Sequence, residues 1–447
     1  MSDLTFDDLD HKRADADFEA RKSQWLRSWR AYYGDHNKPL KKKKKQPDFN
    51  LMVNYIKLAI EVKTAFLFGE PGKEIRFTTD ADITAHTEQE LYLKNLWGFN
   101  RKLTKLNKLA LNGHITGMAY VLVQRPINGG MFPRLTILDP EIVRPVWNPE
   151  DIDELEKVII QYDAKDPETG KILTYKKTIE RNGINWRILD QSRHPDGKLF
   201  SDPTIEEWPY TWCPVHHCQN YVDPNTFWGM SDVEDEVIGL NDAINFTLSN
   251  INKILYFHAH PKPWAKGVRA DQIKANTEDM TVLESPDGML ANLEMRGDLG
   301  ASITFYQTLR NAFKQISHVP EVSLGGIDDP ARVSSLALRV LYGPLLMQIG
   351  QKRITYGEML SELNRHLLEM GNPEWAGTAV ENHWPYVLPE DPETEARTLA
   401  IHQQLGTSQR TILAKLGYQP DDEAANREHE QQTLGDALLK KFNSGEA

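Results

Sequence analysis

The segment CPVHHC is the part of the sequence that comes closest to a metal-binding pattern. Its thiol and imidazole groups, which zinc prefers as ligands, belong to Cys213, His216, His217 and Cys218. A structural zinc site takes its ligands as two pairs from separated turns, and no second CxxC or HxxxH pair is present. In an extended chain His216 and Cys218 also point to one face and His217 to the other. The pattern therefore favours ordinary strand packing, with a zinc-containing interaction protein as one alternative.

Clusters of carboxylates are the second pattern that could support chemistry, because two-metal nucleases hold their ions with acidic side chains. These clusters are DDLD at 7–10, EDEVIGLND at 234–242, and the pairs at 328–329 and 421–422. None has a histidine or lysine at a recognisable spacing, and no Walker A, GxSxG or HExxH motif occurs. We expect the acidic residues from Asp232 to Glu236 to stabilise the first turn of a helix instead. The sequence thus predicts no enzyme and no cofactor, with a metal-dependent, nuclease-like DNA-processing enzyme as another alternative.

A long helix over 231–257 organises the rest of the chain. Ser231 and Glu234 are spaced as a capping box at its start, and the prolines after residue 260 stop it. Its apolar residues recur at spacings of three and four and form one stripe: Val233, Val237, Leu240, Ile244, Leu248, Ile251 and Leu255. The polar residues that fall outside this stripe include Asn241, Asn245 and Asn252. The helix is roughly 40 Å long at about 1.5 Å per residue, which is longer than the core of an ordinary domain needs, so we expect it to project or to span something.

The residues after this helix predict a small β insert enclosed by a second helix. Proline and glycine punctuate 261–300, with strands at 280–285 and 289–295 around the turn SPDG. A helix follows over 301–318, and 321–335 has no periodicity and reads as a loop. Residues 334–371 then form a very long helix, which Pro344 should kink.

The first half of the chain predicts helices followed by antiparallel strands. The predicted helices are 15–33, a segment capped by Asn50 and ending at Gly69, and one or two helices within 84–112 broken near Gly98. The predicted strands are 72–80, 118–124, 134–139, 157–164, 172–180 and 184–190. After an extended segment at 378–388, two more helices are predicted, one over 392–405 and one capped by Thr407 or Ser408. The fold class is therefore α+β.

Composition limits the kind of partner that the protein has. The net charge is −12, whereas a protein that grips DNA through its phosphates is normally basic, so any contact with DNA should be loose or confined to a patch. The five lysines from Lys41 to Lys45 are the main basic run, and a solvated loop is favoured there over a nucleic-acid contact. No apolar run is long enough for a transmembrane helix, and the polar, acidic N-terminus does not resemble a secretory signal.

Several segments together resemble the SPP1-like (Gp6-type) portal proteins of tailed bacteriophages. NYIKLAIEVKTAFLFGEP resembles their N-terminal helix, and GHITGMAYVLV and DPEIVRPVWN resemble the strand and the segment after it. WCPVHHCQNYVDPNTFWGMSDVEDEVIGLNDAIN is similar to the family passage that contains G-x-S-D, although CPVHHC itself is not a family feature. LPEDPETEARTLAIHQQLGTSQRTILAKLG is similar to the C-terminal region. The order and spacing of the segments carry the resemblance.

This resemblance implies a portal fold with a division of the chain by position. It implies a mixed α+β wing at 1–228, stem helices at 229–260 and 301–318, an α/β clip at 261–300, and a tunnel loop at 319–335. A long kinked helix returns to the wing at 336–390, and a short helical crown occupies 391–447. The C-terminal region is shorter than in the family, so we expect a short crown rather than a full one.

The resemblance also implies partners and candidate site residues. The protein would form a ring of about a dozen copies at one capsid vertex, assembled in the host cytoplasm, for DNA packaging by the terminase motor and for later ejection. Other partners would be the head-completion or adaptor protein, the major capsid and scaffolding proteins, and double-stranded DNA that passes through the channel without sequence specificity, with no membrane. The apolar stripe of the long helix would face neighbouring copies. The tunnel-loop residues facing DNA would be Leu324, Gly325, Gly326, Ile327, Asp328 and Asp329. The clip residues that bind terminase or adaptor would be Lys262, Trp264, Lys266, Arg269 and Glu284.

Overall fold

The structure is a computed structural model of the full chain. It describes residues 6–41, 47–79, 87–126, 129–148, 150–152, 154–167, 169–194, 199–200, 202–259, 262–267, 273–275, 281–283, 289–293, 299–324, 335–385, 388, 400–401, 403–404 and 406. The chain divides into two compact units. The first unit comprises Met1–Trp25, Ile60–Asp232 and Val319–Ala447, and the second comprises Leu26–Ala59 and Val233–His318.

Seven long helices lie in the described part of the chain. They are α1 (Phe6–Tyr33), α2 (Tyr55–Phe68), α3 (Glu88–Phe99), α4 (Lys102–Thr116), α5 (Asp235–Ala259), α6 (Leu299–Ser317) and α7 (Ser335–Gly371). The first two contribute residues to both units, α5 and α6 belong to the second unit, and the other three belong to the first. None of the described helices is long and apolar enough to cross a membrane.

The strands of the first unit form antiparallel sheets. They are β1 (Gly69–Glu70), β2 (Lys73–Glu74), β3 (Arg76–Thr78), β4 (Met118–Gln124), β5 (Arg134–Leu138), β6 (Val143–Trp147), β7 (Leu155–Lys165), β8 (Ile172–Asn182), β9 (Asn185–Arg193), β10 (Thr204–Trp208), β11 (Val215–Gln219) and β16 (Glu381–His383). A meander in the order β10-β9-β8-β7-β6 makes the largest sheet, and β11-β4-β5 make a three-stranded sheet. Short two-stranded ladders join β1 to β2 and β16 to β3.

The main hydrophobic core lies in the first unit, where α7 and α4 pack near the three-stranded sheet. One face of α7 repeats apolar residues at helical spacing, among them Leu345, Ile349, Leu360, Leu363 and Leu367, all at most 1% exposed. The strand β4 is buried along nearly its whole length, which explains why its sequence is a continuous apolar run. This part of the fold therefore rests on ordinary burial of apolar surface.

The sequence predicted most of these elements but misplaced several boundaries. The strand at 118–124, the break between α3 and α4, the long helix that includes Pro344 and the three central strands of the meander, β7 to β9, are confirmed, whereas β6 and β10 were not predicted. The first helix starts earlier than predicted, at Phe6, and the predicted strand 72–80 is two short strands that pair with different partners. Much of the predicted C-terminal helices, including Thr407 and Ser408, lies outside the described residues.

Two predicted helix caps are wrong because a nearby residue or a tertiary contact takes over. Asn54, not Asn50, caps α2, since its Oδ1 accepts from the amide of Lys57 at 2.9 Å. Asn50 instead bonds the amide and the carbonyl of Leu40, at 2.8 and 3.0 Å. The helix predicted from 231 begins at Asp235, and the Ser231 hydroxyl donates to the carbonyls of residues 114 and 115 instead of capping it.

Candidate functional site

The second unit contains the helices and the insert on which the predicted docking residues lie. In it α5 and α6 pack against each other. Between them the insert holds β12 (Lys262–Lys266), β13 (Ile273–Ala275), β14 (Thr281–Leu283) and β15 (Met289–Leu293). β12 pairs with β15 and β13 with β14, both antiparallel, so the outer pair brings the two ends of the insert together. The predicted strands of the insert are confirmed, and the turn SPDG lies outside the described residues.

The five predicted docking residues of the insert are only partly placed by the structure. Lys262, Trp264 and Lys266 lie at alternate positions of β12, opposite Leu293, Ala291 and Met289. The side chain of Lys266 is exposed. Arg269 and Glu284 lie outside the described residues.

The predicted tunnel-loop residues lie largely beyond what the structure describes. Residues Glu321–Leu324 form a single 3₁₀ turn rather than an irregular loop, and Leu324 is its last residue. Gly325, Gly326, Ile327, Asp328 and Asp329 lie outside the described residues. The role of this segment in contacting DNA therefore stays a prediction.

The buried face of α5 differs from the prediction. Three residues of the predicted stripe are already buried within a single chain: Val233 before the helix, and Val237 and Ile244 within it. Asn241 and Asn245, placed outside the stripe by the sequence pattern, are 0% and 1% exposed. Their amides have partners that periodicity alone does not reveal, and burial of an amide is tolerated when it is hydrogen-bonded.

Those partners are the backbone of the extended segment 49–55, which runs along α5 in the opposite direction. The amides of Leu51, Val53 and Tyr55 donate to side-chain oxygens of α5 at 3.0, 2.8 and 3.0 Å; the acceptors are Ser249, Asn245 and Asn241, respectively. In return, side chains of α5 donate to backbone carbonyls: Asn241 to Val53, Ser249 to Leu51 and Asn252 to Phe49. We call this set of bonds the polar ladder.

The polar ladder works because two repeats nearly coincide. Every second residue of an extended chain advances about 6.6 Å, and every fourth residue of an α-helix about 6 Å. Helix side chains four residues apart can therefore take the place of a neighbouring strand over a short distance. The ladder satisfies backbone groups of the extended segment that the fold would otherwise leave unpaired.

The helix α6 is held on its inner side by Tyr55. The hydroxyls of Tyr55 and Tyr306 lie 3.0 Å apart, and the Tyr55 ring lies 5.8 Å from the ring of Phe313. Burial and this hydrogen bond raise the pKa of Tyr55 to about 12, so the phenol stays protonated and can act as a donor at neutral pH. Apart from Phe313 and Ser317, the described side chains of α6 are not buried.

Large apolar side chains remain exposed on the helix pair. They are Phe246, Leu255, Tyr256, Ile303, Phe305 and Ile316, between 38% and 56% exposed. Several large apolar side chains exposed on one pair of helices favour an interaction site there. We call these six residues the exposed apolar set. The helical spacing in the sequence included Leu255 in the apolar stripe but missed the three aromatic members of the set.

The CPVHHC segment is part of a buried strand, as its pattern predicted. β11 pairs with β4, and the Nε2 of His216 lies 2.8 Å from the Nδ1 of His366 on α7. Burial raises the pKa of Cys213 to about 12, which opposes the thiolate form that binds zinc. Among the described residues no group of three or more His, Cys, Asp or Glu side chains is placed to hold a metal ion.

Known proteins were compared with this chain by sequence and by structure. A family model described as phage portal protein, SPP1 Gp6-like, matches residues 11–434. A chain from the virion of a native gene transfer agent particle aligns with 12% identity and a TM-score of 0.45, over 88% of this chain and 93% of that one. A chain from the neck of an empty gene transfer agent particle aligns with 14% identity and a TM-score of 0.43, over 81% and 88%. No curated protein matches the sequence.

Proposed function

This chain belongs to the SPP1 Gp6-like family of phage portal proteins, and we propose that it forms a ring-shaped channel for double-stranded DNA at one vertex of the capsid. About twelve copies make the ring in this proposal. A separate terminase motor drives DNA inward through it during packaging, and the same channel releases the DNA at ejection. The protein itself is structural and carries out no catalysis.

The observation that carries this proposal, beside the family, is the exposed apolar set on α5 and α6. A single copy leaves these side chains in water, and a ring of copies offers each helix pair two neighbours that cover them. Burial of apolar surface contributes about 25 cal/mol per Å², so six large side chains supply a substantial part of the association energy.

The parts of the channel follow the helices and the insert. We assign the stem to α5 and α6 and the clip to the insert between them. The tunnel loop is the segment before α7, the wing is the mixed α+β region at 1–228 with its return at 336–390, and the crown is 391–447. The clip carries the docking surface for terminase and for the head-completion protein, and Lys266 presents an exposed positive charge there.

The charge of the chain suits a conduit through which DNA moves without being held. A net charge of −12 gives an acidic ring little attraction for phosphates, so DNA passes without adhesion. Contact is confined to the tunnel loop in this proposal. The protein would be a virion component that also meets the major capsid and scaffolding proteins during assembly in the host cytoplasm.

The decisive experiment is negative-stain electron microscopy of the purified protein, combined with mass photometry. Rings of about a dozen copies are expected for the wild type, and Phe246→Ser with Phe305→Ser should shift the population toward single copies. The matched control is Ile184→Ser, because Ile184 is 78% exposed but lies outside the helix pair. A wild-type protein that stays a single copy at every protein and salt concentration would refute the proposal.

A packaging assay tests the assignment of the two DNA-handling parts. Deletion of Gly325–Asp329 should impair packaging while leaving rings intact. If the deletion variant packages DNA normally, the assignment of this segment as the DNA-contacting loop is wrong. Lys262→Glu together with Lys266→Glu should weaken terminase binding without affecting ring formation. Unchanged terminase binding would place the docking surface elsewhere.

A further inference from the structure

One buried carboxylate in the first unit is shared by two buried lysines. The Asp232 side chain is 2% exposed, and those of Lys63 and Lys352 are 3% and 0% exposed. Lys63 Nζ lies 2.7 Å from Asp232 Oδ1, and Lys352 Nζ contacts Oδ2. Charges are rarely buried this completely unless they are paired, and here two positive charges face one negative charge.

Three neutral groups complete the cluster. The Nδ1 of His114 lies 3.1 Å from Asp232 Oδ2 and 2.8 Å from Lys352 Nζ. Asn220 donates to Asp232 Oδ2 at 3.1 Å, and the Tyr221 hydroxyl donates to Oδ1 at 3.3 Å. The Lys352 ammonium also lies 4.6 Å from the centre of the Tyr221 ring. Among the described residues, these three and the two lysines are the side chains that hydrogen-bond or ion-pair with the Asp232 carboxylate.

The cluster gathers elements that are far apart in the sequence. Lys63 comes from α2, His114 from α4 and Lys352 from α7. Each stands at helical spacing from buried apolar residues of its own helix. Lys352, for instance, stands between the core residues Ile349 and Tyr356. Three helices each place one polar side chain in their buried stripe, and Asp232 is the common partner.

The backbone beside Asp232 fixes the carboxylate in place. The amide of Asp232 donates to the carbonyl of His114 at 2.8 Å. Gly117 has a φ of +86°, and a Cβ there would lie 2.2 Å from the carbonyl oxygen of Gly229. Because Gly229 also has no side chain, the end of α4 and the segment before Asp232 can touch backbone to backbone. The G-x-S-D pattern at 229–232 thus has a physical role in building this junction.

Burial and charge push the protonation of these groups in different directions. Burial raises the pKa of Asp232, but the nearby charges of Lys352 and Lys63 outweigh it, so the pKa lies well below its usual value. Burial lowers the pKa of Lys352 to about 7, and the charge of Lys63 adds to this against the attraction of Asp232. Burial and the charge of Lys352 lower the pKa of His114 to about 4.

We propose that Asp232, Lys63, Lys352 and His114 form a proton-dependent latch that ties α2, α4 and α7 to the segment ending at Asp232. With both lysines protonated the latch holds one uncompensated positive charge. When Lys352 gives its proton to solvent, one Lys63–Asp232 ion pair remains and the buried charge is balanced. The latch is tight in alkaline solution and loosens as the pH falls toward 7.

The first test measures chemical unfolding of the full-length protein at a fixed concentration between pH 7 and pH 9.5. The unfolded chain holds the Lys352 proton up to about pH 10.5, so stability rises with pH across this window. As the pH rises by one unit, the unfolding equilibrium constant should fall in the wild type. This fall should be up to tenfold greater than in Lys352→Met. Lys63→Met should flatten the profile too, since it leaves one lysine for one carboxylate.

The control for the pH profile is Lys157→Met, which removes a partly exposed lysine paired with Glu180. This variant should keep the wild-type slope. If Lys352→Met and the wild type have the same slope, the latch does not titrate as proposed and the proposal fails. The result is independent of the proposed channel, because ring formation is read separately by microscopy.

The second test is a double-mutant cycle. Asp232→Asn leaves two lysines buried without a counter-charge and should raise the unfolding equilibrium constant at least a hundredfold at pH 7. Adding Lys352→Met to Asp232→Asn should recover part of this loss. An effect of Lys352→Met that is the same in both backgrounds would show that the groups are not coupled. Should Asp232→Asn fail to fold, the pH profiles of the single lysine variants still decide the question.

Discussion

The two units of this protein bury different kinds of surface. The main core cluster of the first unit is built from apolar side chains of α3, α4, α7 and the sheets, and none of its members belongs to the second unit. In the second unit the buried residues of α5 include amide and hydroxyl side chains beside Val237, Ile238 and Ile244, and the polar ladder joins them to the extended segment. Meanwhile large apolar side chains of α5 and α6 lie on the outside.

The difference is between apolar surface that is buried within one chain and apolar surface that stays exposed. The apolar side chains of the main core cluster are buried against one another within one chain. The polar ladder holds the extended segment on α5 through directional bonds, and large apolar side chains of α5 and α6 remain exposed. In the proposed ring, the bonds within the chain and the contacts between copies would use different side chains of α5.

Acid should affect the first unit most, because its core holds neutral histidines. Burial lowers the pKa values of His114, His217 and His366 to about 4 from the usual 6.5. The contribution of these histidines to stability is complete above about pH 6.5 and is lost as the pH falls toward 4, since the unfolded chain then binds the protons first. A pKa that differs by one between the folded and the unfolded chain corresponds to about 1.4 kcal/mol of stability.

Thermal unfolding at pH 6.5, 5.5 and 4.5, combined with limited proteolysis, checks this prediction. The unfolding temperature should fall steadily, and cleavage should begin within 60–232 or 335–385 before it reaches 235–259. An unfolding temperature that stays constant over this range would contradict the burial of these histidines.

The substitution Gly117→Ala should strongly destabilise the first unit. A positive φ costs a non-glycine residue about 1–2 kcal/mol, and the overlap with the Gly229 carbonyl adds about 1–3 kcal/mol. Denaturant unfolding measures the loss. The matched control is Gly98→Ala in α3, where nothing lies within 4 Å of the added carbon and helix propensity predicts a gain of up to about 1 kcal/mol.

The substitution Asn245→Ala should break one rung of the polar ladder and cost the second unit about 1–3 kcal/mol. The amide of Val53 would lose its acceptor in a partly buried place. Hydrogen exchange should show faster exchange at residues 51–55 and little change in α7. Asn250→Ala, on α5 but off the ladder, serves as the control. Equal effects of the two substitutions would show that the ladder does not hold the segment.

The substitution Phe305→Ser should change the stability of a single copy least, by within about 0.5 kcal/mol, because the ring is already 56% exposed. Its effect should instead appear in assembly, as a shift toward smaller species in sedimentation velocity. A loss of stability in the isolated chain without loss of assembly would place Phe305 in the interior of the unit and would weaken the contrast between the units.

The sequence predicted the elements of this fold better than the contacts between them. A continuous apolar run bounded by Gly117 is enough to locate β4, and proline and glycine delimit α5 and the insert. The burial of Asn241 and Asn245 could not be predicted, because their partners are backbone groups nearly 200 residues away. Asp232 was assigned to a helix start for the same reason, although lysines at core positions of α2 and α7 were a signal that a buried carboxylate was needed.

The polar ladder also restricts how the extended segment can change during evolution. It bonds main-chain amides at alternate positions, so it is indifferent to side chains such as those of Leu51 and Met52, which are 45% and 38% exposed. Proline at 51, 53 or 55 would remove a donor, and a single inserted residue would shift every later amide off its acceptor. Relatives should therefore vary freely in the side chains of this segment. They should keep its length and lack proline at the positions equivalent to 51, 53 and 55.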